Sequence, residues 1–289
     1  MLDNHLKNID QFILKTGERL DDKDTYFEDT IDDEEVKKNH LPALIEELSD
    51  WQLKLQAENK QAVVLALQAL DAAGKDEIIT FIFSHLRPQG LKVTPTGIPS
   101  EEEQQHDFLW RHQKVLPERG EIGILNRSYY EDVVSLLVHG SDGQIPMTHD
   151  SLEEEAAFRI KAINQFEDYL YESGFRVVKI FPRVSKEVQK KRLLDRMKDP
   201  EKNWEFSLSD LSDREKWDSF YNVYEKVLQE TSTERNPWYV LPADNPWLTR
   251  YFAGRIVCDT LSEMNPDFPT FDGKEAQDIK EAIEKLEAE

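Results

Sequence analysis

Six consecutive apolar residues, Ala62-Val-Val-Leu-Ala-Leu67, pass at once into a polar loop and then an amphipathic segment, and this restricts the chain more than any other stretch. A run this short and uniform reads as a strand covered on both faces, the habit of parallel sheets. Asp76–Leu86 supplies the helix that should follow, with acids in its first turn, where the helix dipole favours them, and Pro88 and Gly90 just beyond its end. The rhythm then repeats. Val93–Ile98 reads as a weak strand, Ser100–Leu116 as a helix opened by a Ser-Glu-Glu-Glu cap, and Ile122–Leu125 as a second buried strand. Leu152–Ser173 is a long amphipathic helix ending at Gly174, followed by strand Phe175–Phe181, basic helix Ser185–Lys198, helix Asp213–Thr231, strand Trp238–Pro242 and closing helix Thr249–Met264. Strands alternating with helices of this length predict an α/β fold, a doubly wound parallel sheet with helices on both faces.

Composition narrows the class of partner. The 289 residues carry 58 acidic against 36 basic side chains, a net charge of −22, and a field this negative is expected to repel nucleic acid, anionic lipid and phosphate-rich substrates alike. No apolar run approaches the ~18 residues of a membrane span. Met1–Lys15 lacks the apolar core of a signal peptide, so the expected location is cytoplasmic. The lone Cys258 sits in an apolar stretch and reads as a buried, unreactive thiol. Three regions are expected: residues 1–60, an acidic surface arm and a helix; residues 61–265, the main domain; and residues 266–289, a charged, solvated terminal helix. The arm contains Asp21–Glu35, with nine carboxylates against Lys23 alone.

The loop between the first strand and its helix is Gln68-Ala69-Leu70-Asp71-Ala72-Ala73-Gly74-Lys75-Asp76. That is the context of a phosphate loop, in which backbone N–H groups and a helix start face phosphate oxygens while a lysine adds positive charge. The usual pattern has Gly at 69 and Ser or Thr at 76; here Ala69 and Asp76 stand there, so the hydroxyl that would hold a metal is missing. A carboxylate in a loop aimed at polyanions is repelled unless a divalent cation lies between them, which makes Asp71 the candidate ligand for Mg²⁺. Its other reading is an ordinary turn or cap residue.

The strand at Ile122–Leu125 ends in Asn126-Arg127-Ser128-Tyr129-Tyr130-Glu131-Asp132. Open α/β sheets bind ligands at the carboxyl ends of their strands, so this cluster should share a crevice with Lys75. Arg127 suits bidentate phosphate contact, Asn126 stands where an acid often holds the metal, and Glu131 or Asp132 adds a carboxylate. The segment Lys179–Lys202 holds nine basic residues against four acidic ones, +5 in 24 residues, leaving −27 for the remainder. Arg192 and Arg196, four apart on one helix face, form a candidate lid over a phosphate chain, the alternative being a solvated basic face.

Taken in order, Leu67-Gln-Ala-Leu-Asp71-Ala-Ala-Gly-Lys75-Asp76, His106-Asp-Phe-Leu-Trp-Arg111, Gly120-Glu-Ile-Gly-Ile-Leu-Asn126-Arg-Ser-Tyr-Tyr-Glu-Asp132, Asp199-Pro-Glu-Lys-Asn-Trp204, Thr231-Ser-Thr233 and Pro242-Ala-Asp244 resemble the family-2 polyphosphate kinases over roughly residues 63–261. The resemblance implies a phosphate-loop kinase-like α/β fold with a helical lid at about 185–212. It also implies Mg²⁺-dependent phosphoryl transfer between inorganic polyphosphate and nucleoside mono- and diphosphates, AMP to ADP and ADP to ATP. Adenine nucleotides would be the acceptors, with guanine nucleotides next, and the assembly a homodimer or homotetramer. By the same resemblance Asp71 is the metal-linked carboxylate, Lys75 and Arg127 act on the transferring phosphoryl group, and Ala72, Ala73 and Gly74 cradle phosphate. Asn126 and Glu131 arrange metal and acceptor, Arg192 and Arg196 form the lid, and Arg111 is a more distant phosphate contact. Three positions depart from the family pattern: Glu77 in place of Gly, and Gly97 and Glu205 in place of Lys. Each removes positive charge or adds negative charge near the expected polyphosphate path, which weakens phosphate binding. Two other readings fit the same residues: a nucleotide kinase of this fold using ATP as donor, and a phosphate-loop protein that binds without turnover.

Overall fold

The computed structural model describes residues 8–28, 31–142 and 144–289; residues 1–7, part of the stretch read above for a leader, and 29–30 within the acidic arm lie outside the described residues. Five parallel strands form one sheet in the order β2-β3-β1-β4-β5, with β1 (Ala62–Leu67) central, β2 Leu91–Pro95, β3 Ile122–Asn126, β4 Phe175–Arg183 and β5 Trp238–Pro242. All six β1 residues are buried, as its uniform apolarity predicts. The faces alternate. Val64, Leu125, Val177 and Val240 pack on one side with α4 (Glu131–His139), α5 (Leu152–Glu172) and α8 (Trp217–Thr231). Val63, Leu65, Ile124 and Ile180 pack on the other with α1 (Leu41–Glu58), α2 (Lys75–Phe81) and α9 (Pro246–Met264). Helices α1 and α9 approach closely at Gly254, where an added Cβ would lie 2.9 Å from Leu44 Cδ2, so any larger residue there overpacks the layer.

Several sequence expectations require correction. The helix at Ser100–Leu116 does not form. Ser100 and Glu103 do exchange capping hydrogen bonds, 2.8 and 3.2 Å, but these close only a 3-10 turn at Glu103–Gln105. The backbone is extended at His106, Asp107 accepts from Leu109 N, and a separate one-turn helix, α3 (Trp110–Gln113), follows. Strand β2 ends at Pro95, paired with Asn126, rather than at Ile98, and residues 97–99 turn off to wall a cavity. The stretch 185–212 is not one helix: α6 (Lys186–Lys198) and α7 (Leu208–Glu215) are joined through a 3-10 turn at Asn203–Glu205. Asp213 belongs to α7, and α8 begins only at Trp217.

The acidic arm is more than surface. Leu14 N donates to Trp238 O at 2.8 Å, Ile13 bridges Tyr239, and Phe12, Leu14 and Leu20 are buried, so the arm covers the exposed edge of β5. Its Asp21 accepts from Arg183 and from the Tyr221 hydroxyl. At the other end, α10 (Gly273–Glu287) buries none of its side chains, as its charge pattern suggests. No helix among the described residues is long and apolar enough to cross a membrane.

Glu155 of α5 holds the segment that leads into that helix, accepting from Thr148 N and Arg159 Nε at 2.9 and 2.7 Å and lying 2.9 Å from His149 Nδ1. Burial alone would raise its pKa, but these donors outweigh burial and hold the carboxyl at about 2, against an ordinary 4.5. Its pKa is depressed on folding, so its contribution to stability is present above about 4.5 and is lost as pH falls towards about 2. Urea midpoints measured across that window should fall less steeply for Glu155→Gln than for the wild type. Equal slopes would contradict the assignment.

Candidate active site

Strands β1 and β3 end side by side, Leu67 opposite Asn126, and the two polar segments predicted from sequence leave the sheet at that point. The first, residues 68–75, turns through left-handed backbone at Ala72 (φ 58°) and Gly74 (φ 100°) before α2 begins at Lys75. Gly74 reaches that conformation at no steric penalty, whereas Ala72 must be held in it. Lys75 is buried and folds back on its own loop, donating to Ala69 O at 3.1 Å and Leu70 O at 3.5 Å. Burial lowers its pKa, and the nearby Asp71 carboxylate opposes that shift.

The second segment meets the first through side chains. Arg127 Nη2 donates to Asp71 Oδ1 at 2.8 Å, Asn126 Nδ2 to Asp76 Oδ1 at 2.6 Å, and Gln68 Nε2 to Glu131 Oε2 at 2.5 Å. Burial works against the charge on Arg127, but Glu131 and Asp71 more than compensate and raise its pKa. The turn is fixed from below by Gln68, whose Oε1 accepts from Ser128 N at 3.1 Å.

Two cavities meet at the Asp71–Arg127 pair, which lines both. The smaller, about 240 Å³, is walled by Ala72, Gly74, Lys75, Asn126 and Arg196. The larger, about 440 Å³, is walled by Leu70, Glu131, Trp217, Phe220 and Tyr224, with polar groups from Ser135, Gln144 and Ser209. The smaller chamber is lined largely by polar and charged groups, whereas Trp217, Phe220 and Tyr224 give the larger one aromatic walls.

The remaining predicted residues are placed unequally. Arg196 reaches the smaller chamber and lies within ion-pair distance of Glu205 (3.6 Å) and Asp210 (3.9 Å). Arg192 instead donates to Ala72 O at 3.1 Å and Ala243 O at 2.6 Å, behind the loop. With Gln189 Nε2 bonded to Asp71 O at 2.9 Å, it docks α6 on the loop backbone. Arg111 is buried against Asp132 (2.9 Å) and Gly97 O (2.9 Å) on the wall of the larger chamber, and its Nε has no hydrogen-bond partner among the described residues. Asp132 also accepts from or faces His112 Nε2 at 2.6 Å, which makes it a structural carboxylate rather than a free one. Glu77 and Glu205 both line the smaller chamber, and Gly97 the larger. Ala73 is buried within the loop.

Among the described residues, no three His, Cys, Asp or Glu side chains converge as a metal cage. Mg²⁺ is commonly held by one or two carboxylates and by substrate phosphates. Asp71 and Asp76 are two of the carboxylates that line the smaller chamber, with Glu77, Glu205 and Asp210, and as oxygen donors they fit such an ion. Sequence reasoning missed Gln68, Gln189, Asp210 and Tyr224. Gln68 lies in the quoted loop motif and Asp210 in a Ser-x-x-Asp cap at Ser207, whereas Gln189 and Tyr224 carry no local signal because their roles arise only when α6 and α8 dock.

Known proteins share this architecture. The family described as Polyphosphate kinase 2 (PPK2) matches residues 31–269. An ADP-polyphosphate phosphotransferase of Rhodopseudomonas palustris is 43% identical over 232 residues, 79% of this chain and 80% of that protein. An AMP/ADP-polyphosphate phosphotransferase of Meiothermus ruber is 37% identical over 229 residues, 79% of this chain and 82% of that protein. The crystal structure of polyphosphate kinase 2 from Arthrobacter aurescens superposes with a TM-score of 0.86 at 35% identity, covering 95% of each chain. A phosphate-loop kinase-like sheet, two chambers meeting at the ends of β1 and β3, and a match across most of the sequence therefore coincide: the chain belongs to the polyphosphate kinase 2 family.

Proposed function

We propose that this protein transfers phosphoryl groups between inorganic polyphosphate and AMP or ADP, with Mg²⁺, in the cleft where the Asp71–Arg127 pair divides the two chambers. The observation that carries the reading is that junction: one cation and one carboxylate face both a chamber sized for a phosphate chain and a chamber sized for a nucleotide. In the forward direction an acceptor phosphate oxygen of the nucleotide attacks the terminal phosphorus of polyphosphate. The new P–O bond forms as the P–O bond to the shortened chain breaks. No protein nucleophile is required, since phosphoryl transfer needs alignment and charge neutralisation above all.

Lys75 exchanges its two loop carbonyls for oxygens of the moving group, and Arg127 leaves or shares Asp71 to reach the same oxygens. Asp71 would hold Mg²⁺, which would supply further charge neutralisation when bound. Asn126 fixes Asp76, Glu131 faces the acceptor, and Ala72, Ala73 and Gly74 form the cradle. Residues 185–212 serve as the lid with Arg196 as its reaching arginine, Arg192 anchors that lid, and Arg111 holds the nucleotide wall. The domain division at 60/61 and 265/266, a cytoplasmic location, adenine with guanine as the next base, and a homodimer or homotetramer complete the proposal.

A matrix of AMP and ADP against polyphosphate and ATP as donors, with product separated by chromatography, tests it. ADP and ATP should form with polyphosphate and Mg²⁺ and stop when the metal is chelated. Transfer from ATP alone would favour a conventional nucleotide kinase, and tight binding without turnover a binding module.

A further inference from the structure

Beneath the turn that presents Arg127 lies a fully buried polar knot that touches neither chamber. Tyr129 and Tyr130, 0% exposed, both donate to Glu167 Oε1 at 2.7 Å. The other oxygen, Oε2, accepts from Lys179 Nζ at 2.8 Å. Lys179 also donates to Thr231 O at 2.6 Å and meets the Tyr130 hydroxyl at 3.1 Å, so its three protons all have partners. Four elements are joined: the β3 turn by the tyrosines, α5 by Glu167, β4 by Lys179 and the end of α8 by Thr231. Burial and the Glu167 charge raise the pKa of both phenols, which keeps them protonated as donors.

An ion pair this deep is seldom the most stable filling of a core, since apolar residues of equal volume commonly do as well. What distinguishes this one is its neighbour. Arg127 is a non-glycine residue in left-handed backbone, φ 59°, a conformation that persists only where the surroundings over-determine it. Arg127 N to Leu67 O fixes the preceding side and Ser128 N to Gln68 Oε1 the peptide that follows, both 3.1 Å; beyond it Tyr129 and Tyr130 tie the turn to Glu167.

We infer that Glu167 and Lys179, through Tyr129 and Tyr130, are positioning residues that hold the Arg127 turn in its strained, reaction-ready form. The inference rests on the role of Arg127 proposed above. Removing both hydroxyls leaves the rings and their packing but detaches the turn from Glu167, and Arg127 relaxes out of line with the moving phosphoryl group.

The test is a double-mutant cycle on the full-length protein, joining Tyr129→Phe/Tyr130→Phe with Arg127→Ala, read as kcat and KM with polyphosphate and AMP. The phenylalanine pair should lower kcat at least about tenfold with both KM values within about threefold. In the Arg127→Ala background the same pair should lower kcat less than about twofold, because the effect passes through a side chain no longer there. If the pair does not fold, Tyr130→Phe alone is read the same way. Full kcat in the phenylalanine variant, or equal losses in both backgrounds, overturns this inference while leaving Arg127 in place. An Arg127→Ala enzyme at wild-type rate overturns the role of Arg127 itself, and this inference with it.

Discussion

Lys75→Met should lower kcat/KM for phosphoryl transfer by about 10²–10³-fold, the usual loss when one preorganised charge is removed from a developing anion, with little effect on folding. The two effects separate because of how Lys75 sits. Its ammonium is buried and its pKa lowered by burial, so carrying a charge there opposes stability rather than supporting it. Methionine keeps most of the volume and loses two donations, of which that to Leu70 O is long at 3.5 Å, while Ala69 O keeps the Tyr224 hydroxyl as a donor. Urea denaturation should therefore show a modest shift while turnover collapses. Activity and unfolding midpoint falling in proportion would mean that Lys75 only supports the loop.

Asp71→Asn is expected to be nearly as damaging and to reveal its cause through the metal. The variant keeps the shape of the side chain and one acceptor for Arg127, so the half-buried pair is weakened rather than broken. It removes the negative charge that makes a divalent cation favourable beside the phosphates. Turnover at saturating nucleotide should fall about 10²–10³-fold, and the Mg²⁺ concentration for half-maximal activity should rise. Nucleotide binding by calorimetry should persist, because the aromatic wall of the larger chamber, Trp217, Phe220 and Tyr224, stands on α8 and is left intact. An unchanged Mg²⁺ requirement would remove Asp71 from the metal.

How far the sequence reveals these features depends on how local their causes are. Strand β1 was legible because a buried parallel strand is uniformly apolar, and the loop after it because Asp71, Gly74 and Lys75 act within a few residues of one another. The Ser100–Leu116 helix failed because the Ser100–Glu103 cap is a real local signal, yet the backbone turns extended at His106 and Asp107, two residues past the turn, holds Leu109 N. The arm was misread because carboxylates dominate its composition while three apolar residues, Phe12, Leu14 and Leu20, decide its packing. Arg192 and Arg196 look equivalent at a spacing of four, yet one faces the loop carbonyls and the other the chamber, a distinction that exists only once α6 docks through Gln189. The overall charge of −22 likewise misleads as a sum, since basic residues gather in Lys179–Lys202. Even there Lys179 and Arg192 are committed to the fold, and Arg196 reaches the smaller chamber.

The most direct measurement of the central claim is a ³¹P NMR time course of enzyme with polyphosphate, AMP and Mg²⁺, repeated with Lys75→Met. Resonances of ADP and then ATP should grow as polyphosphate is consumed, with phosphorus conserved between them, and the variant should leave the spectrum almost unchanged over the same interval. Polyphosphate loss yielding inorganic phosphate without nucleotide products, or equal transfer by Lys75→Met, would contradict the account.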